Sequence, residues 1–328
     1  MRVLLAALAV SAATLAAAQP AAPRPYGERG DVQAFIGELS QRHGFAEGEL
    51  KRVFSRVYRT DPVLGLMAPA ERPAWEDYRA LFLNEARIAG GVAFWKANRR
   101  ALERAEREYG VPAQYIVAII GIETYYGKNM GRWRVIDALA TLAFDYPSRA
   151  PFFRSELEQY LLLAREKGYG VFELRGSYAG AIGIPQFMPG SLRRYAVDFD
   201  GDGAIDLRRS VADAVGSVGS FLKQHGWRAG EPVIHRVKNL PEAARSLADG
   251  SVAPKDRLAE LLAAGVELEP APASTEALGI LVALGKEHRV GLQNFWVITR
   301  YNRSAFYATA VCDLADALAA ALAQSAGR

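Results

Sequence analysis

Between Val111 and Gly127 the chain runs VPAQYIVAIIGIETYYG, an apolar stretch that carries one carboxylate, Glu123. On a helix Glu123 shares a face with Ile116, Ile119 and Ile120, at spacings of seven, four and three. A carboxyl group on such a face is desolvated, which disfavours its charged form and raises its pKa. That is what a general acid working near neutral pH needs. A buried glutamate paired with an arginine from elsewhere in the chain is the alternative. Tyr125 and Tyr126 offer a stacking wall beside Glu123, and Gly127 is expected to end the helix.

Two further constellations can do chemistry. The run DFDGDGAID, residues 198–206, matches the first nine positions of an EF-hand loop. Asp198, Asp200, Asp202 and Asp206 supply oxygens at positions 1, 3, 5 and 9, glycine stands at 6, and Ala204 needs only its carbonyl at 7. Arg209 replaces the usual late glutamate at position 12. A structural calcium ion is expected, with neutralisation by Arg208 and Arg209 as the alternative. In Gly176–Pro189, Gly180, Gly183 and Pro185 surround Gln186 in a run too glycine-rich for a stable helix. It reads as a loop whose backbone approaches a ligand. Asp137 and Asp145 are further carboxylates. Asp137 reads as a helix N-cap, and neither is given a role.

The elements that must position these groups are mostly helical. Residues 1–19 pair one positive charge with an apolar run and an alanine-rich end, the pattern of a signal peptide. No cysteine near residue 20 marks a lipoprotein site. The run is also short for a bilayer span, so no membrane anchor is expected. Residues 20–30 read as a Pro/Gly-rich tether. An N-terminal helical lobe follows over 31–109, capped at Asp31, with one long helical segment from Ala74 to Tyr109 bearing an aromatic core stripe. A catalytic core is expected over 110–227, including the acidic loop 198–213. A small β-containing insertion follows over 228–290, and core helices return over 291–328. Within the insertion, Val233–Val237 alternates like a strand and 279–284 is a short apolar run of either type.

Half of the 328 residues are hydrophobic and 23% are charged, which excludes a disordered or fibrous chain. The net charge of +4 is mild, and no arginine-rich helix points to nucleic acid. The one cysteine, Cys312, cannot form an intramolecular disulfide and reads as a small core residue.

Four ordered blocks carry a resemblance. Ile120–Gly127 (IGIETYYG), Asp137–Pro147 (DALATLAFDYP), Gly176–Pro189 (GSYAGAIGIPQFMP) and Ile298–Ser304 (ITRYNRS), with Tyr307 after it, resemble the lytic murein transglycosylase B family. The resemblance implies a mainly α, lysozyme-like core with an N-terminal helical lobe and a small inserted domain containing β-structure. It implies a soluble periplasmic enzyme that cuts the β-1,4 bond between N-acetylmuramic acid and N-acetylglucosamine, leaving 1,6-anhydromuramoyl ends. Glu123 then matches the catalytic acid, acting later as base, with no catalytic cofactor. Ser177, Gln186, Tyr301, Asn302 and Tyr307 match positions lining the glycan groove. Tyr126, from the stacking wall read above, is counted with these substrate-binding candidates, and the resemblance implies that Asp213 supplies the late carboxylate of a lengthened calcium loop. A relative in the family has two adjacent arginines after Tyr-Pro where this chain has Ser148 and Arg149, leaving Arg149 alone to face peptide or lactyl carboxylates. Peptidoglycan strands are the expected partner, with cell-wall synthesis machinery a further one. A water-using muramidase and a non-catalytic wall-binding scaffold are the alternative functions.

Overall fold

The computed structural model describes residues 24–68 and 73–326, so the expected signal peptide and the first part of the tether lie outside the described residues. The N-terminal helices are α1 (Gly30–His43), α2 (Glu47–Phe54), α3 (Asp61–Leu66), α4 (Trp75–Ala80), α5 (Glu85–Ala97) and α6 (Arg99–Tyr109). Then come α7 (Ala113–Thr124), β1 (Trp133–Arg134), α8 (Val135–Asp145), α9 (Ala150–Lys167), β2 (Arg175–Gly176), α10 (Pro189–Tyr195) and α11 (Val211–Gln224). The sheet region holds β3 (Ile234–Asn239), β4 (Asp256–Arg257), α12 (Leu258–Ala263), β5 (Glu267–Glu269), β6 (Leu278–Leu284) and β7 (Glu287–Gly291). The chain closes with α13 (Gln293–Thr299) and α14 (Ala305–Ala326). The fold is mainly helical with a small β-region, as expected.

Helix α7 is apolar on all sides rather than along one stripe: Ile116, Val117, Ala118, Ile119 and Ile120 are each 0% exposed. A helix hydrophobic all round belongs in a core, and α14 packs along it. By length and composition α14 could cross a bilayer, yet Tyr307, Val311, Cys312, Leu314 and Leu318 are buried in the same core. The insertion folds as an antiparallel sheet in the order β4-β6-β7-β3-β5, over its own apolar cluster around Leu258, Leu281 and Val290. The ambiguous run at 279–284 is therefore a central strand, Ile280 pairing with Gly291 and Leu284 with Glu287.

Several local expectations change. The long segment from Ala74 to Tyr109 breaks into α4, α5 and α6. Asn84 stops it by accepting the Arg87 N–H at 3.0 Å, and Asn98 by donating to the Phe94 carbonyl at 2.8 Å. Asparagine side chains compete for backbone partners and favour such ends. The aromatic stripe splits accordingly: Trp75 is buried beside Tyr78 and Phe82, whereas Phe94 packs on Tyr126 instead. Helix α1 begins before Asp31, which lies in its first turn rather than at its cap. Asp137 likewise sits inside the first turn of α8, paired with Arg134 at 2.5 Å. The tether expectation fails from Arg24 onward, because Pro25 bridges to Tyr58 and Tyr26 is buried. The Tyr26 hydroxyl donates to Asp145, and Arg29 Nη1 lies 2.7 Å from the same carboxylate. One buried ring and one ion pair outweigh the conformational freedom of the neighbouring glycines.

Candidate active site

Glu123 occupies the last turn of α7. Burial of its carboxyl group pushes its pKa from 4.5 up to about 7. The hydroxyl of Tyr307 donates to Oε1 at 2.6 Å and acts against that rise. Tyr307 comes from α14 and is 2% exposed, so it holds the acid instead of stacking on a ligand. Tyr301 follows α13. Its hydroxyl donates to the Pro185 carbonyl at 2.9 Å, and its ring packs on Phe187 and Phe221. The charge of Glu123 helps raise the pKa of Tyr301, Tyr307 and Tyr78. Tyr78 of α4 is thus a third tyrosine beside the acid. Nothing in its spacing signalled this, because the approach of α4 to α7 is purely tertiary.

The helix ends abruptly after Glu123. Tyr125, Tyr126 and Gly127 all have left-handed backbones, with φ of 52°, 62° and 84°, so the end falls two residues before the expected glycine. Arg87 from α5 donates to the Gly121 carbonyl and lies 4.8 Å from the Tyr125 ring. A cation at a helix C-terminus complements its dipole. Tyr126 is not a groove wall. Its hydroxyl donates to the Arg87 carbonyl at 2.9 Å and its ring fills the gap beside Gly121, where a Cβ would come within 2.7 Å. A tyrosine here locks α5 to α7.

Thr124 connects the acid helix to the glycine-rich loop. Its buried hydroxyl donates to the Ile184 carbonyl at 2.7 Å and accepts the Gly127 N–H at 2.9 Å. Gly183 next to it has φ of 76°, and a Cβ there would stand 2.5 Å from the Leu207 carbonyl oxygen. Gln186 follows with φ of 52°. Its amide nitrogen donates to Gly183 and Met130 carbonyls at 2.8 and 3.2 Å, and among the described residues no hydrogen bond engages its amide oxygen. Ser177 accepts the Ala181 N–H at 3.0 Å, so its hydroxyl shapes the turn while its proton stays available. Asn302 is exposed immediately after Tyr301. Arg149 is exposed and lies over Phe152 and Phe153, 4.6 and 5.2 Å from their rings. Among the described residues no hydrogen bond or ion pair joins it to the Glu123 cluster.

No second carboxylate shifts the pKa of Glu123. Asp137 is held by Arg134 and Asp145 by Tyr26 and Arg29. Among the described residues Glu123 therefore has no carboxylate partner of the kind that most glycosidases pair with their acid.

In the acidic loop, ligand atoms of Asp198, Asp200 and Asp202 lie within 4.8 Å of one another, a donor set of hard oxygens suited to calcium. Asp206 and Asp213 do not join them. Asp206 pairs with Arg208 at 3.5 Å, the alternative weighed for that arginine. Asp213 is 1% exposed, and its oxygens accept the N–H groups of Phe199 and Asp206 at 2.7 and 2.8 Å. It braces the loop, since unpaired amides in a buried turn need an acceptor. Ser210 donates to Asp200 at 2.6 Å, a contact that its place outside the nine-residue pattern concealed.

A Transglycosylase SLT domain model matches residues 27–316. Membrane-bound lytic murein transglycosylase B of Escherichia coli K12 is 41% identical over 312 residues, covering 90% of this chain and 84% of that protein. Among solved structures, catenated SltB1 of Pseudomonas aeruginosa aligns with a TM-score of 0.87 at 48% identity, over 90% of this chain and 99% of that one. Escherichia coli Slt35 in complex with calcium aligns at 0.81 and 40%, over 90% and 95%. SltB3 of Pseudomonas aeruginosa in complex with NAG-NAM-pentapeptide aligns at 0.77 and 31%, over 88% and 79%. With a lysozyme-like helical core around one desolvated glutamate and this likeness along nearly its whole length, the chain belongs to the lytic murein transglycosylase B family and is a lytic transglycosylase of murein.

Proposed function

We propose that Glu123 cleaves the β-1,4 bond between N-acetylmuramic acid and N-acetylglucosamine, first as acid and then as base. The observation that carries this reading is a lone carboxyl group whose pKa is pushed to about 7 by burial. At neutral pH a large fraction is protonated and can donate to the glycosidic oxygen. The muramic N-acetyl carbonyl assists from within the substrate, as in glycosidases that lack a second carboxylate. Glu123, now ionised, takes the proton of the C6 hydroxyl as that oxygen closes on C1. The products are a 1,6-anhydromuramoyl end and a free N-acetylglucosamine hydroxyl, with no water consumed. Holding the C6 hydroxyl in place makes the closure intramolecular, a large entropic advantage.

Tyr307 orients the acid. Ser177, Gln186 and Asn302 offer neutral hydrogen-bonding groups to sugar hydroxyls and N-acetyl amides, and the Tyr301 ring borders the same groove. Arg149 faces carboxylates of the bound strand. Asp198, Asp200 and Asp202 hold calcium, which stiffens the loop and takes no part in the chemistry. The murein substrate and the N-terminal signal pattern together support a periplasmic location.

Mass spectrometry of fragments released from purified peptidoglycan tests the mechanism, with Glu123→Gln alongside. Anhydro ends that vanish in the variant are expected. Reducing ends, heavier by one water, would make the protein a muramidase. Binding without release by the wild type would make it a scaffold.

A further inference from the structure

Helix α4 is six residues long, and a helix that short does not hold together by itself. Yet it brings Tyr78 beside Glu123. Trp75, Tyr78 and Phe82 share an apolar cluster with Phe306 of α14 and with Ile122, the residue before the acid. Ring centres lie 5.2 Å apart for Trp75 and Phe306, and 5.6 Å apart for Tyr78 and Phe306.

Two polar contacts tie α4 to the rest of the molecule. The Trp75 indole N–H donates to Oε2 of Glu287 in β7 at 2.7 Å. Arg79 Nε donates to Oδ2 of Asp313 in α14 at 2.6 Å. Arg289 of β7, only 5% exposed, links the two acceptors, its Nη2 lying 2.8 Å from Glu287 Oε1 and 4.0 Å from Asp313 Oδ1. A guanidinium so buried needs carboxylates to meet it, which fixes both acids in turn. One network thus joins the inserted sheet, α4 and α14, and α14 also holds the acid through Tyr307.

We propose that Glu287 and Asp313 are positioning residues for the reaction: through Trp75 and Arg79 they hold α4 against the end of α7 that bears Glu123 and so keep water from the acid. The inference rests on the reading of Glu123 as that acid. It gives the inserted sheet a part in the reaction, exerted through β7.

Burial is what raises the Glu123 pKa, and no charged group shifts it. The titratable groups around it are Tyr78 of α4, Tyr301 after α13 and Tyr307 of α14, while Arg87 of α5 caps the same helix. No group on α6 or α11, which also pack on α7, shifts it. An α4 that loosens admits water, favours the carboxylate and lowers that pKa.

The test is the pH profile of kcat/KM for release of anhydro ends by the enzyme, with melting curves alongside. The Glu287 side chain is 44% exposed, so its variants should fold. In Glu287→Ala the alkaline limb should move down by about one pH unit, toward the ordinary carboxylate value. Arg79→Met, which frees the other end of α4, should move it in the same direction. Glu287→Gln, whose amide oxygen still accepts the indole N–H, should keep the wild-type limb. A wild-type limb in Glu287→Ala or Arg79→Met, whatever the melting temperature, overturns the proposal, as does an equal shift in Glu287→Gln. A wild type that releases no anhydro ends strikes the reading of Glu123 instead.

Discussion

The hydroxyl of Tyr307 lies 2.6 Å from Oε1 of Glu123, joining α14 to the acid on the apolar helix α7. The bond stabilises the carboxylate against burial, so it tunes the acid as well as holding it. In Tyr307→Phe the Glu123 pKa rises further. The alkaline fall of kcat/KM, which follows loss of the proton from Glu123, moves to higher pH. A pH–rate profile that falls at the wild-type position would refute this coupling.

Glu123→Gln should lower kcat roughly 10²–10⁴-fold, the usual contribution of a general acid. It should also alter stability. The folded pKa of about 7 exceeds the unfolded value near 4.5. The stability this group contributes is therefore complete below pH 4.5 and is lost as pH rises to about 7. The loss is on the order of 3 kcal/mol in the wild type and absent in the variant. Denaturant titrations at pH 4.5 and 7.5 measure it.

Thr124→Val strands the Gly127 amide and the Ile184 carbonyl, at a cost of about 1–3 kcal/mol. It also frees the loop that carries Gln186. KM for glycan strands should rise more than kcat falls, because the acid itself stays in place. Steady-state kinetics with a melting curve separates the two effects, and an unchanged KM would show that the loop is held by other contacts.

Asp145→Asn should leave kcat at the wild-type level while lowering stability by about 1–2 kcal/mol, since it weakens a partly exposed ion pair with Arg29 and the bond from the Tyr26 hydroxyl. A collapse of kcat in a folded variant would make Asp145 a second catalytic carboxylate.

Calcium should raise the melting temperature by mass action, and Asp198→Ala should abolish the rise while leaving kcat unchanged. No heat of binding by calorimetry and no melting shift in the wild type would remove the site.

Much of this was readable in the sequence. Glu123 announced itself because a carboxylate in an apolar run has few structural reasons to exist, and the acidic loop because its aspartates repeat at alternate positions. The strand at Ile234 followed from its alternation. What stayed hidden depends on which surfaces meet. Tyr126 and Tyr307 have the same chemistry, yet one fills a gap beside Gly121 and the other holds the acid. Tyr78 and the docked Tyr26 gain their partners from segments far along the chain. The mid-segment breaks at Asn84 and Asn98 were signalled by residue type, but the surrounding aromatic periodicity masked them.

The placement of Tyr307 also carries a temporal consequence. Glu123 is made 184 residues before Tyr307, whose hydroxyl orients it. A truncated or still-emerging polypeptide has the acid without its holder and the core without α14. The Glu123 carboxyl is therefore held in place only once α14 has been made and has packed against α7.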